Sequence, residues 1–546
     1  MPRRCIVDFV WDRRKTIMTG RSVAFLILGP YLVAILATGY FVRRRATTSS
    51  AFLHARNTLP LSITSIAFLA ANCGALEIVG MVAASAKYGL PALHFYWIGA
   101  IPAMVFLALF MLPIYRHSRA LTVPDFLRIR YNNATHILSA SCLAVMMALI
   151  AGIGLYAISS VLHLFFGWSF SRLVLLTSGF VLCYVVSGGL RATIYNEVFQ
   201  FTLTILGLIP LMIKVLRDFH GTNELRGDLP YGMTHIWSSL PLMQPRTATL
   251  DVTGVVLGLG FVLSFGYWCT DFLLIQRALA ARNMRESIQT PLIAGVFKLF
   301  FPALLVIPGA AAAVFFRKSG VTHYDQALPF LMQHYYGQAL LGLGISAILA
   351  SLMSGLAGNI SALSALWTHD LYRSHINRNA SDQHYLFMGR ISTVVATILA
   401  VATASIALHY NSLMDYLTLL FSLFNAPLFA TFLLGMFTTW ATPAAGSWGL
   451  LAGVVTATTH NIAVRSHVIS YGSDLLASFY GAACGFGVSL LTVALVSAFT
   501  RRKSLEDLAG VTYFTCEKES EVITPGILIL AACIVAACIA LNLVFR

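Results

Sequence analysis

The sequence has 546 residues, 58% hydrophobic and 10% charged, with a net charge of +15 and a mean hydropathy of +0.78. A soluble domain carries about 25% charged residues, so this composition excludes an ordinary soluble protein. Apolar stretches of ~18 residues or more recur, each long enough to cross a bilayer as a helix. Lipid satisfies no exposed backbone group, which leaves helices or closed barrels, and the roughly ten-residue alternation of a barrel is absent. The positive charge fits basic loops facing an anionic membrane leaflet rather than nucleic acid.

An all-α polytopic membrane protein of about fourteen spans is therefore expected. In chain order the spans are 22–42, 60–86, 91–114, 135–165, 171–188, 196–216, 252–276, 289–315, 337–363, 388–409, 413–436, 443–463, 474–499 and 523–545. With residues 43–56 on the cytoplasmic side, the loops of that side hold about twice as many Lys and Arg as the opposite ones. The tail "MPRRCIVDFVWDRRKTIMTGR" breaks this pattern, and a start at Met18 instead of Met1 would remove most of its charge. The first apolar run is followed by "RRR" and not by a small-residue cleavage site, so no cleavable signal peptide is read. The loops near 217–250 and 316–336 are too short for a soluble domain. The nine cysteines fall mostly inside spans without a C-x-x-C pair, which reads as small core residues rather than disulfides or zinc ligands.

Four spans carry polar residues that lipid disfavours. "LAANCGALEIVG" (69–80) sets Asn72, Gly74 and Glu77 in an apolar context. Gly74 permits a break, Asn72 supplies donors and acceptors, and Glu77 a charge, the pattern of a discontinuous transporter helix. The plainer alternative is an Asn that bonds a neighbouring helix and a Glu near the membrane surface. Five spans later, and so crossing in the opposite direction, "GFVLSFGYWCTDFLLIQRALAARN" (260–283) holds Ser264, Gly266, Tyr267, Trp268 and Asp271. Two such spans in corresponding places suggest two inverted five-helix repeats. "SAILASLMSGLAGNISALSALWTHDLY" (346–372) repeats Ser351, Ser354, Gly355, Gly358 and Ser361, which serves either a site or close packing alone. Lys298 either snorkels to the interface or reaches a site as a donor.

These stretches, with "TVPDFLRIRYN", "SGGLRATIYNEVFQ", "FKLFFPALLVIPG" and "PLFATFLLGMF", resemble the sodium/solute symporter family of the sodium/glucose and sodium/proline transporters. The resemblance runs from about residue 22 to the last spans. It implies a LeuT-like core of two inverted five-helix repeats with flanking helices. The expected division is a basic tail 1–21, a flanking helix 22–42, a first repeat 60–216, an extracellular or periplasmic loop 217–250, a second repeat 251–436, and three flanking helices over 437–546. It also implies a Na+ site of Ala70, Cys73, Ser351 and Ser354, where Gly355 stands in place of a second hydroxyl. Either another oxygen replaces that hydroxyl or sodium coupling is weakened, and sodium against proton stays open. Glu197 matches a carboxylate linked to ion passage, with a loop-end charge as the alternative.

For the solute, the resemblance implies Asn72, Glu77, Tyr96, Ser264, Tyr267, Trp268 and Lys298. Several depart from the sugar-transporter pattern: Tyr96 stands for a glutamate, Ser264 for an asparagine, and Leu419 near an expected glutamine. Glu77 and Lys298 then either contact a zwitterion or mixed polar solute, or pair with each other. The expectation is an ion-coupled symporter of a small polar organic solute, working by alternating access in the cell membrane as a monomer among lipids, with no nucleic-acid partner. A sensor with the same fold is one rival. An intramembrane enzyme is the other, but it would need a nucleophile–base or metal constellation, and His369–Asp370 is the nearest pair.

Overall fold

The computed structural model describes residues 29–37, 59–319, 323–410, 412–516 and 522–546. The tail 1–21, most of the flanking helix 22–42 and the choice between Met1 and Met18 lie outside the described residues.

The described chain is helical, with a single isolated bridge between Leu59 and Ala281 and no named strand. Its helices are α1 Leu61–Asn72, α2 Glu77–Tyr88, α3 Leu90–His117, α4 Val123–Arg130, α5 Asn133–Phe166, α6 Phe170–Val186, α7 Ala192–Asp218, α8 Gly254–Thr270, α9 Phe272–Leu279 and α10 Met284–Arg317. There follow α11 Ala327–Tyr335, α12 Gln338–Ile376, α13 Asp382–His409, α14 Leu413–Phe437, α15 Pro443–Arg465, α16 Asp474–Phe499 and α17 Pro525–Val544.

Among the described residues nine helices are long and apolar enough to span a membrane, and eleven if each bent pair, α1–α2 and α8–α9, counts as one. The expected fourteen is not reached by that measure. Helix α6 stops at Val186 because Gly189 leaves the helical region (φ 58°, ψ −159°) before α7 begins. Helix α15 is 23 residues long but carries a polar last half, "TATTHNIAVR". Ends are set by local chemistry: Asn132 accepts from Thr135 N (2.8 Å) at the start of α5, and Ser473 from Leu476 N (3.1 Å) at the start of α16. Such caps satisfy backbone donors that the helix itself leaves open. Gly89 ends α2 at φ 78°, where any side chain would also strike Met233.

Helices α1, α2, α8, α10, α12 and α14 are rich in buried residues, whereas α7, α13, α16 and α17 turn Phe199, Leu206, Ile398, Leu491 and Leu543 outward. That outward apolar face is what a lipid-facing helix needs. The cysteines divide the same way and correct the sequence reading: Cys73, Cys142, Cys269 and Cys538 are buried, but Cys183, Cys484 and Cys533 are exposed on this outer face.

At the end where the basic loops gather, one carboxylate ties three helices. Asp370 of α12 accepts from the Thr122 hydroxyl before α4 (2.6 Å) and pairs with His136 Nε2 of α5 (2.9 Å). The other His136 nitrogen meets His375 at 2.9 Å. The pair His369–Asp370 is thus part of a structural clamp. Asp370→Ala leaves two buried polar groups without an acceptor, each costing about 1–3 kcal/mol. A lower unfolding midpoint is expected for the purified protein in detergent, with a smaller loss for Asp370→Asn, which keeps an oxygen.

Candidate functional site

The site grows from the break in the first bent pair. At Cys73 the backbone leaves the helical region (φ −74°, ψ 48°), and its N–H bonds Ala70 O at 3.1 Å and Leu69 O at 3.0 Å. Gly74 N turns back to Asn72 O at 2.8 Å, and the chain resumes through a wide π-type turn over Leu76–Gly80. The two halves meet at 58°. The second pair breaks at Asp271 (φ −69°, ψ 116°), whose carboxylate caps α9 by accepting from Leu273 N at 2.8 Å, and bends by 52°. Both interruptions expected from the sequence are present. The third candidate, α12, is continuous from Gln338 to Ile376.

The small residues of α12 let it lie directly on both breaks. A Cβ at Gly355 would stand 2.9 Å from Gly74 Cα, and one at Gly74 would stand 3.1 Å from Gly355 Cα. A Cβ at Gly358 would meet Leu273 and approach Arg277 and Glu197. Beside the first contact the Ser351 hydroxyl donates to Cys73 O. Ser354, nearly one turn further along α12, is buried with no hydrogen-bond partner. Among the described residues no three His, Cys, Asp or Glu side chains converge as a metal site, so a cation here finds carbonyl and hydroxyl oxygens, the ligands of a hard ion. Gly355 is not simply a missing oxygen, because the space of its side chain is filled by Gly74.

Around Asn72 the polar side chains form one knot. Asn72 Oδ1 accepts from Lys298 Nζ, and its Nδ2 donates to the Tyr267 hydroxyl at 3.0 Å. Lys298 also pairs with Glu77 at 2.7 Å, with side-chain exposures of 0% and 5%. Three rings surround the ammonium, Phe301 at 5.1 Å, Tyr96 at 5.2 Å and Trp268 at 5.6 Å, an arrangement favoured by their π faces. Lys298 therefore reaches the site and does not snorkel, and the two charges pair with each other. Removing one partner of such a pair costs about 3–5 kcal/mol. Tyr267 stacks on Phe421 at 4.8 Å, and Ser264 faces Gly99, where a Cβ would fall 2.3 Å from its oxygen.

The cavity bounded by Asn72, Glu77, Tyr96, Ser264, Tyr267, Trp268 and Lys298 measures about 60 Å³. This is far below the ~300 Å³ or more of a ligand pocket, so in this conformation the cavity is too small for a solute the size of a sugar. All seven expected solute residues line it. Sequence reasoning missed the rest of the lining, including Met81, Phe95, Leu259, Met414, Thr418 and Phe421; the helical spacing 414, 418, 421 on α14 was the available signal. Leu419 points instead into a separate recess of about 240 Å³ between α14, α15 and α16, bounded by Asp415, His460 and Arg465.

Glu197 is not a loop-end charge. It is fully buried in α7 and forms a two-pronged ion pair with equally buried Arg277 of α9, with Arg277 Nε donating to Oε2 at 3.2 Å. This joins α7 to the second bent pair. At the opposite end, Lys87 pairs with Asp415 at 2.7 Å, and the Tyr88 hydroxyl donates to the same carboxylate at 3.0 Å. These bonds fasten α2 to α14 beside the start of α14.

The family model for the sodium:solute symporter family matches residues 52–453, and the chain belongs to that family. It is 26% identical over 551 residues to sodium/myo-inositol cotransporter 2 of Oryctolagus cuniculus, covering 90% of this chain and 79% of that protein. It is 25% identical over 462 residues to the sodium/glucose cotransporter of Vibrio parahaemolyticus, covering 79% and 83%. With the sodium/mannose cotransporter SLC5A10 of Bos taurus it shares 27% over 396 residues, which span 67% of this chain and 66% of that one. The structure of a Na+-coupled sialic acid symporter in a substrate-bound outward-open state aligns with a TM-score of 0.76 and 18% identity, over 88% of this chain and 99% of that chain. This likeness shows the fold, a LeuT-like core, and the chain is an integral membrane protein of the symporter family.

Two tests follow from the geometry. Gly355→Ser, which nominally restores a hydroxyl, is expected to push α12 off the break at Gly74. It should lower both thermal stability and any sodium-dependent stabilisation, read by thermal unfolding with and without sodium. Asp325 lies outside the spans and caps α14 by accepting from Leu413 N at 3.1 and 3.2 Å. Burial raises its pKa to about 7; the Leu413 bond opposes this, Asp415 adds to it and Lys87 subtracts. The unfolded carboxyl ionises near ~3.9, so above that value the folded protein holds the extra proton. The stability from this group is complete below that value and is lost as pH rises through about 7. Asp325→Asn is expected to flatten the fall in unfolding midpoint across that window.

Proposed function

We propose that the chain is a sodium-coupled symporter of the cell membrane that imports a small polar organic solute by alternating access. Na+ binds at Ala70, Cys73, Ser351 and Ser354, and solute binds at Asn72, Glu77, Tyr96, Ser264, Tyr267, Trp268 and Lys298. The observation that carries this reading is the partnerless, buried Ser354 hydroxyl next to the Ser351–Cys73 contact. A buried hydroxyl without a partner is unfavourable, and a cation would supply its missing contact. An arriving ion takes the place of the Ser351 hydrogen at Cys73 O and fastens α12 to the first break.

Residues 60–216 and 251–436 act as the two inverted repeats, each opening with its bent span, and the site lies between them. Release on one side requires the Lys87–Asp415 contact to hold while the Glu197–Arg277 region opens, and the other side requires the reverse. Glu197 serves as a relay for the departing ion by exchanging its tie to Arg277. The electrical part of the drive is about 2.3 kcal/mol per charge per 100 mV. The relatives' names supply sugars and inositol as the solutes of those proteins.

The test is uptake into proteoliposomes under an inward sodium gradient, with choline as the control cation and a panel of sugars, polyols and amino acids. Gradient-dependent accumulation of one solute is expected. Ser354→Ala should raise the sodium concentration for half-maximal uptake about tenfold, equivalent to ~1.4 kcal/mol. Accumulation indifferent to sodium and to this substitution overturns the ion assignment, and binding without accumulation favours a sensor.

A further inference from the structure

We propose that the central cavity takes an α-zwitterion with an apolar side chain, a solute whose ammonium and carboxylate sit on one carbon. The proposal rests on the symporter reading and names the solute class of that site.

The cavity already holds a miniature of such a solute. Lys298 Nζ and Glu77 Oε1 lie 2.7 Å apart with their side chains all but excluded from water, as close as the two charges of an α-amino acid. The polar atoms around them sort by sign. At the acceptor end, Glu77 Oε1 receives no aligned hydrogen bond, and the buried Tyr96 hydroxyl lies against the Glu77 carboxylate. At the donor end stand Lys298 and the Tyr267 hydroxyl, which accepts from Asn72 and keeps its own proton to give. Asn72 is spent on those two side chains. Most of the remaining wall is apolar: Met81, Leu259, Leu263 and Phe421 are part of it.

Three solute classes meet this site differently. A solute of single charge takes one partner of the pair and strands the other in a dry interior, which is strongly unfavourable. A polyhydroxylated ring leaves the pair intact but finds too few free partners for its hydroxyls. A zwitterion replaces the pair end for end: its carboxylate meets Lys298 and Tyr267, its ammonium meets Glu77 and Tyr96, and its side chain enters the apolar wall.

The experiment measures thermal stabilisation of the full chain in detergent with sodium. The probes are the standard α-amino acids, the methyl ester and deaminated acid of each, glucose and myo-inositol; proteoliposome uptake is run in parallel. At least one apolar amino acid is expected to stabilise saturably, with its ester and its deaminated acid at least about tenfold weaker. The double variant E77M/K298M removes both charges together, a change that buried pairs often tolerate. Because Asn72 Oδ1 loses its donor, a modest drop in the unfolding midpoint without solute is expected, together with loss of amino-acid stabilisation. A silent amino-acid panel, an ester or acid as effective as its parent, stabilisation by glucose or inositol, or full binding by the double variant overturns the proposal. Gradient-driven uptake of a hexose removes the zwitterion and keeps the symporter; amino-acid binding without uptake does the opposite.

Discussion

Everything around the central cavity depends on how closely two backbones approach at Gly74 and Gly355. With no side chain on either, α12 rests directly on the interruption of the first bent pair. That contact brings the Ser351 hydroxyl onto Cys73 O and holds the last turn of α1 still. Asn72 can then face Lys298 and Tyr267 at once. A helix that stops halfway across a membrane exposes backbone groups that lipid cannot satisfy. Here protein covers them on every side, and small residues are what make the cover close.

The same dryness governs the charges. Lys298 sits where an isolated ammonium would be untenable, and it is stabilised by a carboxylate, an amide oxygen and three ring faces. Glu197 and Arg277 solve the equivalent problem one turn further along α12, beside Gly358, by pairing in two-pronged fashion. Each pair joins the first half of the chain to the second: Glu77 to Lys298, Glu197 to Arg277. Buried pairs add little net stability against apolar substitutes, but breaking one is costly, so each holds a particular arrangement of helices in place.

Most of the architecture could be read from residue chemistry. Asn72, Gly74 and Glu77 pointed to one interruption, and Gly266 with Asp271 to the other, because lipid disfavours such residues in an apolar span and the two stretches recur in corresponding places. What escaped was decided by three-dimensional proximity. Gly355 looked like an absent ligand; only its neighbour Gly74 shows that the position is filled. Arg277 lies just past the expected span 252–276, yet it is fully buried against Glu197. Leu419 and Thr418 are adjacent in sequence, and the helical turn sends them into different cavities. The span count fell short where a helix was short, as in α6, or polar at one end, as in α15.

One modest contact has a mechanical consequence. Leu59 N–H donates to Ala280 O at 3.1 Å, binding the entry of α1 to the exit of α9. Arg116 reinforces the same corner by donating to Ala281 O at 2.5 Å and to Leu279 O at 3.4 Å. The outer ends of both interrupted spans are thereby tied together, so a displacement of α1 at this corner carries the end of α9 with it.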